Sequence, residues 1–268
     1  MTEQEKFMYQ ILGKITSSDA PIVFKGALIT KLILAENGYV DLDRATNDID
    51  ADWIGIPPST GSLVEAVNQS LGDLQNRLYA TSSRELTDKQ TAGISIIDKD
   101  TDKEVIAMDI GMRPVIGSKD YYYGETRIRG VLINQILSDK ITVLSSDRLF
   151  RRAKDIVDVY ALSHCTKVKT ADIYNACEKI GREIQPFEAF YERKEEVRHA
   201  YNKLKNIESK PSFDDIYNYL DRFLHPFAEK DISAKTWDSD ALKWYDEQQK
   251  ESGTMRSKVK KDGNRDER

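Results

Sequence analysis

Two neighbouring segments constrain this chain more than anything else in it. IVFKGALITKLIL (residues 22–34) joins a short apolar run to a helical repeat through Lys25-Gly26. RATNDIDADW (residues 44–53) then sets aspartates at alternate positions, Asp48, Asp50 and Asp52. Alternate side chains of a strand point to one face. A strand here carries a row of carboxylates, with Ile49 and Ala51 on the other face and Trp53 packing beside them. An exposed acidic strand is the plain reading of such alternation. Aspartate is a poor strand former, however, and adjacent like charges repel unless a cation lies between them. That cost favours metal binding. Two carboxylates about 7 Å apart along a strand suit a hard divalent ion such as Mg2+. A glycine turn opening a helix nearby offers backbone N–H groups to a phosphate. A metal-binding strand beside a phosphate-binding turn is what nucleotidyl transfer requires.

Composition narrows the chemistry further. The chain has 268 residues, 40% hydrophobic and 32% charged, enough to bury a core in one large or two small domains. No apolar run reaches membrane-spanning length, and MTEQEKFMYQ at the start lacks a signal-peptide pattern. A cytoplasmic protein with no membrane partner is expected. Cys165 and Cys177 lack metal-ligand spacing and read as reduced, buried thiols. His164, His199 and His225 are too scattered for a triad or a zinc site, so catalysis falls to carboxylates and lysines. The net charge of −5 does not advertise nucleic-acid binding. Local basic clusters remain: Arg127 with Arg129; Arg148, Arg151, Arg152 and Lys154; Lys167 with Lys169. Charged faces of this kind are ordinarily solvated surface.

Periodicity divides the chain in two. The first half reads as helix 3–16, strand 22–24 and helix 26–36, with Leu28, Ile29, Leu32 and Ile33 on an apolar face and Gly38 as its stop. The carboxylate strand follows (49–54), ended by Pro57-Pro58, then an amphipathic helix over 61–78 behind Ser59-Thr60. Runs 93–97 and 104–112 read as strands joined by the turn residues DKDTDK. From Val131 to about Gln249 nearly every segment has helical period, TWDSDALKWYDEQQ included. The prediction is an α+β fold. A mixed sheet with flanking helices spans 1–129, a helical domain spans 130–250, and 251–268 form a disordered tail. Tyr191, Tyr201, Tyr217, Tyr219, Phe223 and Phe227 have helical spacing that favours core packing over base stacking.

Further residues carry potential chemistry. Asp109, in VIAMDIGM, is a lone carboxylate in an apolar strand, costly unless paired or metal-bound. With Asp48 and Asp50 it would hold two Mg2+ ions, one on the nucleotide phosphates and one lowering the pKa of an acceptor hydroxyl. The plain alternative is an aspartate facing water beside Gly111. Lys140, in SDKITVL, must snorkel out of an apolar helix or meet an anion. Lys154 precedes Asp155, and Asp158 follows on nearly the same face. Arg151 or Arg152 with Asp155 would make plain intrahelical pairs, which contribute little.

These residues, in this order, resemble the AbiEii/AbiGii toxin family of nucleotidyltransferases, within the polymerase-β-like superfamily. Its motifs read here as Phe24-Lys25-Gly26-Ala27, then Arg44-Ala45-Thr46-Asn47-Asp48-Ile49-Asp50. Asp139-Lys140-Ile141-Thr142 and Arg152-Ala153-Lys154-Asp155-Ile156-Val157-Asp158 follow. The last is the most specific, keeping Arg, Lys and both Asp at the family spacing. The resemblance covers roughly Ile22 to Leu162. Ala27, Thr46 and Thr142 depart from the usual residues, and none removes a metal ligand. The resemblance implies an NTP donor whose triphosphate is cradled at Gly26 and Ala27, beside Lys25. It implies Mg2+ on Asp48 and Asp50, with Arg44 and Thr46 at the nucleotide and Lys140 on phosphate. Lys154, Asp155 and Asp158 would complete the site from the helical half. It further implies transfer to an acceptor, with RNA or the 3′ end of tRNA foremost, growth arrest or abortive phage infection, and a cognate antitoxin. Transfer to a protein hydroxyl, or nucleotide binding without catalysis, are the alternatives.

Overall fold

The computed structural model describes residues 2–39, 44–56, 58–86 and 91–246; Pro57, the end of the last expected helix and the expected tail lie outside them. Its frame is a seven-stranded sheet: Ile22–Lys25 (β1), Asp48–Trp53 (β2), Leu78–Arg84 (β3), Thr91–Asp98 (β4), Lys103–Gly111 (β5), Ser118–Tyr123 (β6) and Thr126–Val131 (β7). The order β3-β4-β5-β2-β1-β7-β6 puts the carboxylate strand at the centre. β2 runs parallel to β5 and β1 parallel to β7, while the other neighbours are antiparallel. This is the expected mixed sheet with flanking helices. β1 belongs inside it because Ile22, Val23 and Phe24 are all fully buried, as a strand covered on both faces requires.

The helices are Glu3–Ser17 (α1), Gly26–Glu36 (α2), Thr60–Ser70 (α3), Ile133–Leu144 (α4), Lys154–Cys165 (α5), Thr170–Lys179 (α6), Glu188–Glu192 (α7), Lys194–Asn202 (α8) and Phe213–Ala228 (α9). α1 starts on a capping box: Glu5 N donates to Thr2 Oγ1 at 3.2 Å and Thr2 N to Glu5 Oε2 at 2.8 Å. α2 is the hinge of the architecture. It packs on β1, β2 and β6 and also against α4 and α5, so it couples the sheet to the helical half. Tyr201, Tyr217, Tyr219, Phe223 and Phe227 are buried, consistent with core packing. Cys165 and Cys177 are free thiols. Among the described residues no helix is long and apolar enough to cross a membrane.

Three stretches differ from the sequence reading. The helix expected over 61–78 ends at Ser70, because Gly72 takes a left-handed conformation (φ +58°); a 3-10 turn follows and Leu78 opens β3. β3 gave no strand signal because it is an edge strand with only Leu78 and Ala80 buried. β6 and β7 form a hairpin across Gly124 (φ +56°) that polar and charged residues hide from a periodicity argument. The segment TWDSDALKWYDEQQ is not helical. Lys235–Asp238 (β8) and Lys243–Asp246 (β9) make an antiparallel hairpin. Asp238 Oδ1 accepts from the N–H of Asp240 and Ala241, fixing the turn. Trp237 and Trp244 face each other across it, ring centroids 5.3 Å apart, and pack on Phe223.

Candidate active site

The site begins where β1 becomes α2. Gly26 sits at φ +69°, and a Cβ there would lie 2.2 Å from Asp50 Oδ2. Only glycine tolerates both the backbone and the approach. The antiparallel register pairs Lys25 with Asp50, and the parallel register pairs Asp50 with Asp109. The sheet therefore lines up the glycine turn and two of the three expected metal carboxylates. Asp48, the third, is exposed at the start of β2, and Thr46 Oγ1 donates to its Oδ1 at 2.8 Å.

Each carboxylate has a different environment. Asp50 makes no ion pair among the described residues. Burial, with the charge of Asp48 next to it, raises its carboxyl above the ordinary value despite Lys25, Lys154 and Arg152. Asp52 is fully buried and bonds Lys25 Nζ at 2.5 Å through Oδ1. A side chain at Gly111 would occupy that space, its Cβ 2.3 Å from Asp52 Oδ1. Asp109 is half-exposed and takes Arg84 Nη2 on Oδ1 at 2.7 Å. Sequence reasoning missed both partnerships. Arg84 lies on a strand that left no signal, and Lys25–Asp52 pairs across two strands whose order no spacing reveals.

The helical half contributes a buried network. Lys140 Nζ lies 2.9 Å from Asp155 Oδ1 and 2.6 Å from Asp158 Oδ2. Arg44 grips Asp158 in a fork, Nε to Oδ1 at 3.1 Å and Nη2 to Oδ2 at 3.0 Å. Arg152 Nη2 stands 3.1 Å from Asp155 Oδ2. Burial would raise the Asp158 carboxyl, but Lys140 and Arg44 hold it far below the usual carboxylate range. Lys140 meets its anions inside the protein rather than snorkelling. An ammonium has three donors, so one remains for a further acceptor.

Two clefts meet at β2. One, of about 200 Å³, is lined by Gly26, Asp50, Asp109 and Lys140 together with four arginines, Arg113, Arg148, Arg152 and Arg182. The other is a broader groove along Arg44, Thr46, Asp48 and Lys154. Ala27 is the half-buried second residue of α2 and lies beside the first cleft's glycine. All twelve sequence-selected positions are thus among the described residues. The arginines at 113, 148 and 182 were not singled out as site residues, since each reads as an ordinary surface cation in its own segment.

A mixed sheet that sets a row of aspartates against a glycine turn is the frame of a nucleotidyltransferase. The fold is similar to that of MenT4, a nucleotidyltransferase toxin from Mycobacterium tuberculosis H37Rv, with TM-score 0.50 and 13% identity over 80% of this chain and 79% of that one. The family model "Nucleotidyl transferase AbiEii toxin, Type IV TA system" matches residues 10–242, and the chain belongs to that family. It is a nucleotidyltransferase toxin of a type IV toxin–antitoxin system, and membership implies an NTP substrate and a cognate antitoxin. No curated protein matches the chain by sequence.

The family generally uses a divalent metal. Asp48 and Asp50 fit one: both are hard oxygen donors, and Asp50 is a half-buried carboxylate with no ion pair among the described residues, next to a second negative charge. Among the described residues no three His, Cys, Asp or Glu side chains gather as a closed metal site; Asp109 is engaged by Arg84. Thr46 orients Asp48. Its backbone N donates to the buried Glu5 at 3.2 Å while its hydroxyl holds Asp48. Thr46→Val keeps the shape and removes one hydrogen bond to a charged group. It is expected to lower kcat about tenfold, with serine at the same position restoring it. Unchanged kcat in the valine variant would mean Asp48 needs no orienting partner.

Proposed function

We propose that this toxin transfers a nucleoside monophosphate from an NTP to an RNA acceptor, foremost the 3′ end of tRNA, with Mg2+ on Asp48 and Asp50. The observation that carries this reading is the Asp50 carboxylate, without an ion pair among the described residues, packed on the left-handed Gly26 turn in a cleft otherwise rich in arginine. Bound Mg2+ would neutralise phosphate charge and lower the pKa of the acceptor hydroxyl. The chain's own groups do the rest. The opening turn of α2, Gly26 and Ala27, presents N–H groups to the triphosphate, and Lys140, with one donor to spare, lines the same cleft. Arg44, Lys154 and Asp48 line the second groove, which suits the acceptor. The acceptor oxygen attacks the α-phosphorus in line, the bond to the bridging β-phosphate oxygen breaks, and pyrophosphate leaves. Asp109 is the proton acceptor in this reading, because its Oδ2 has no hydrogen-bond partner among the described residues. Residues 1–129 would supply the carboxylates, and residues 130–250 the buried network that completes the site.

A protein hydroxyl is the second acceptor, favoured by the net charge of −5, since RNA binding gains from basic surfaces. Transfer of α-labelled NTPs, each with Mg2+, to total tRNA and total protein decides between them, with Asp48→Asn run alongside. Label on tRNA that vanishes in Asp48→Asn and with chelator is the expected result. Label on protein would move the assignment to the second acceptor. No label on either, with the variant still toxic in cells, would overturn the reading.

A further inference from the structure

Three arginines in the Asp50 cleft have no part in the reading above. Arg113 follows β5, Arg148 lies in the 3-10 turn before α5, and Arg182 follows α6. All three line the cleft that holds Gly26 and Asp50. The other cations on its walls are engaged: Lys25 with Asp52, Lys140 with Asp155 and Asp158, and Arg152 with Asp155. Arg182 and Arg113 share one carboxylate, Asp139, at 3.0 Å and 4.0 Å. Arg148 makes no ion pair among the described residues. Burial lowers the Arg182 guanidinium; Asp139 opposes this, and Arg113 and Arg148 add to it. Three segments distant in sequence thus converge to leave an excess of positive charge in a confined space.

That excess calls for a compact anion carrying more than one charge. Guanidinium forks match phosphate oxygens in bidentate geometry. The cleft holds about 200 Å³, and none of its lining side chains is aromatic. A nucleic-acid strand is ordinarily held on stacking platforms along an extended groove, which this cleft does not provide. We propose that Arg113, Arg148 and Arg182 form the binding site for the pyrophosphate half of the donor NTP. The arrangement selects triphosphates over monophosphates, whatever the base, and holds pyrophosphate once transfer is complete. This rests on the nucleotidyl-transfer reading of the same cleft.

Calorimetric titration of the full chain with inorganic tripolyphosphate, in chelator so that no metal contributes, tests the site apart from catalysis. Wild type is expected to bind. Arg148→Gln, which breaks no ion pair among the described residues and so leaves the fold intact, should bind about 10- to 100-fold more weakly, the loss typical of one charge-assisted hydrogen bond. Arg182→Lys keeps a charge beside Asp139 and should fall between the two. Arg127→Gln, which removes a cation paired with Asp120 on the β6–β7 hairpin and outside both clefts, should bind as wild type does. No binding by wild type, or equal binding by wild type and Arg148→Gln, overturns the proposal even where nucleotide transfer is observed. Tripolyphosphate binding lost in Arg148→Gln, in a protein that transfers no nucleotide, keeps the anion site and removes the transfer reading instead. Displacement of tripolyphosphate by a single-stranded oligoribonucleotide, but not by pyrophosphate, would reassign the arginines to the acceptor strand.

Discussion

Lys140→Met should cost the protein about 3–5 kcal/mol of stability, the penalty for breaking a buried ion pair and leaving its carboxylates inside. Asp155 is fully buried and Asp158 nearly so, and each would keep only an arginine, Arg152 or Arg44, at its edge. Urea denaturation measures the loss, and its pH dependence identifies the cause. The folded Asp158 carboxyl lies far below its ordinary value because Lys140 and Arg44 outweigh its burial. Its contribution is therefore complete above the unfolded carboxylate pKa near 4 and fades as pH falls through the folded value. Burial would depress the Lys140 ammonium, but Asp155 and Asp158 raise it above its ordinary value. Its contribution is complete below the unfolded lysine pKa near 10 and fades only as pH rises through the folded one. The deficit of Lys140→Met should hence be flat from about pH 5 to 9 and shrink below about pH 4. Unaltered stability at neutral pH would show that Lys140 does not serve this network and is free to act on phosphate alone.

Gly26→Ala should abolish transfer while leaving a folded protein. The backbone there is left-handed (φ +69°), which costs a non-glycine residue about 1–2 kcal/mol. The greater damage is steric. The new Cβ would stand 2.2 Å from Asp50 Oδ2 and 2.8 Å from Asp50 Cβ, so either the carboxylate or the start of α2 must move. A displacement near 1 Å at reacting groups lowers rates by about 100-fold or more. Gly38 supplies the control, for it has the same φ of +69° and, among the described residues, nothing within 4 Å of a Cβ. Gly38→Ala should show the backbone cost alone and transfer nucleotide as wild type does. Equal rates in the two alanine variants would mean that the Gly26–Asp50 contact plays no part in the chemistry.

The architecture was legible where local signals are strong. α2 falls on the expected residues 26–36 because an apolar face, a glycine opening and a glycine stop coincide there. β4 and β5 pair as the charged turn between them indicated. Legibility failed for β3, whose side chains are mostly exposed, and for the β8–β9 hairpin, where a helical spacing of tryptophans served cross-strand packing instead. Both failures follow from tertiary burial, which sets the value of a strand position more than intrinsic preference does.

The sequence by itself determined which chemistry was available: alternate aspartates for a hard cation, a glycine turn for phosphate, and lysine with paired aspartates at helical spacing. Each is a pattern within a few residues, and backbone geometry converts it directly into a shared face. Only the tertiary structure decided who is bound to whom. Strand order placed Asp109 beside Asp50, a contact between residues 44 and 158 closed the Arg44 fork, and Asp52 rather than a ligand took Lys25. Segments distant in sequence brought Arg113, Arg148 and Arg182 to one cleft. Charges act through space, while periodicity records only neighbours along the chain.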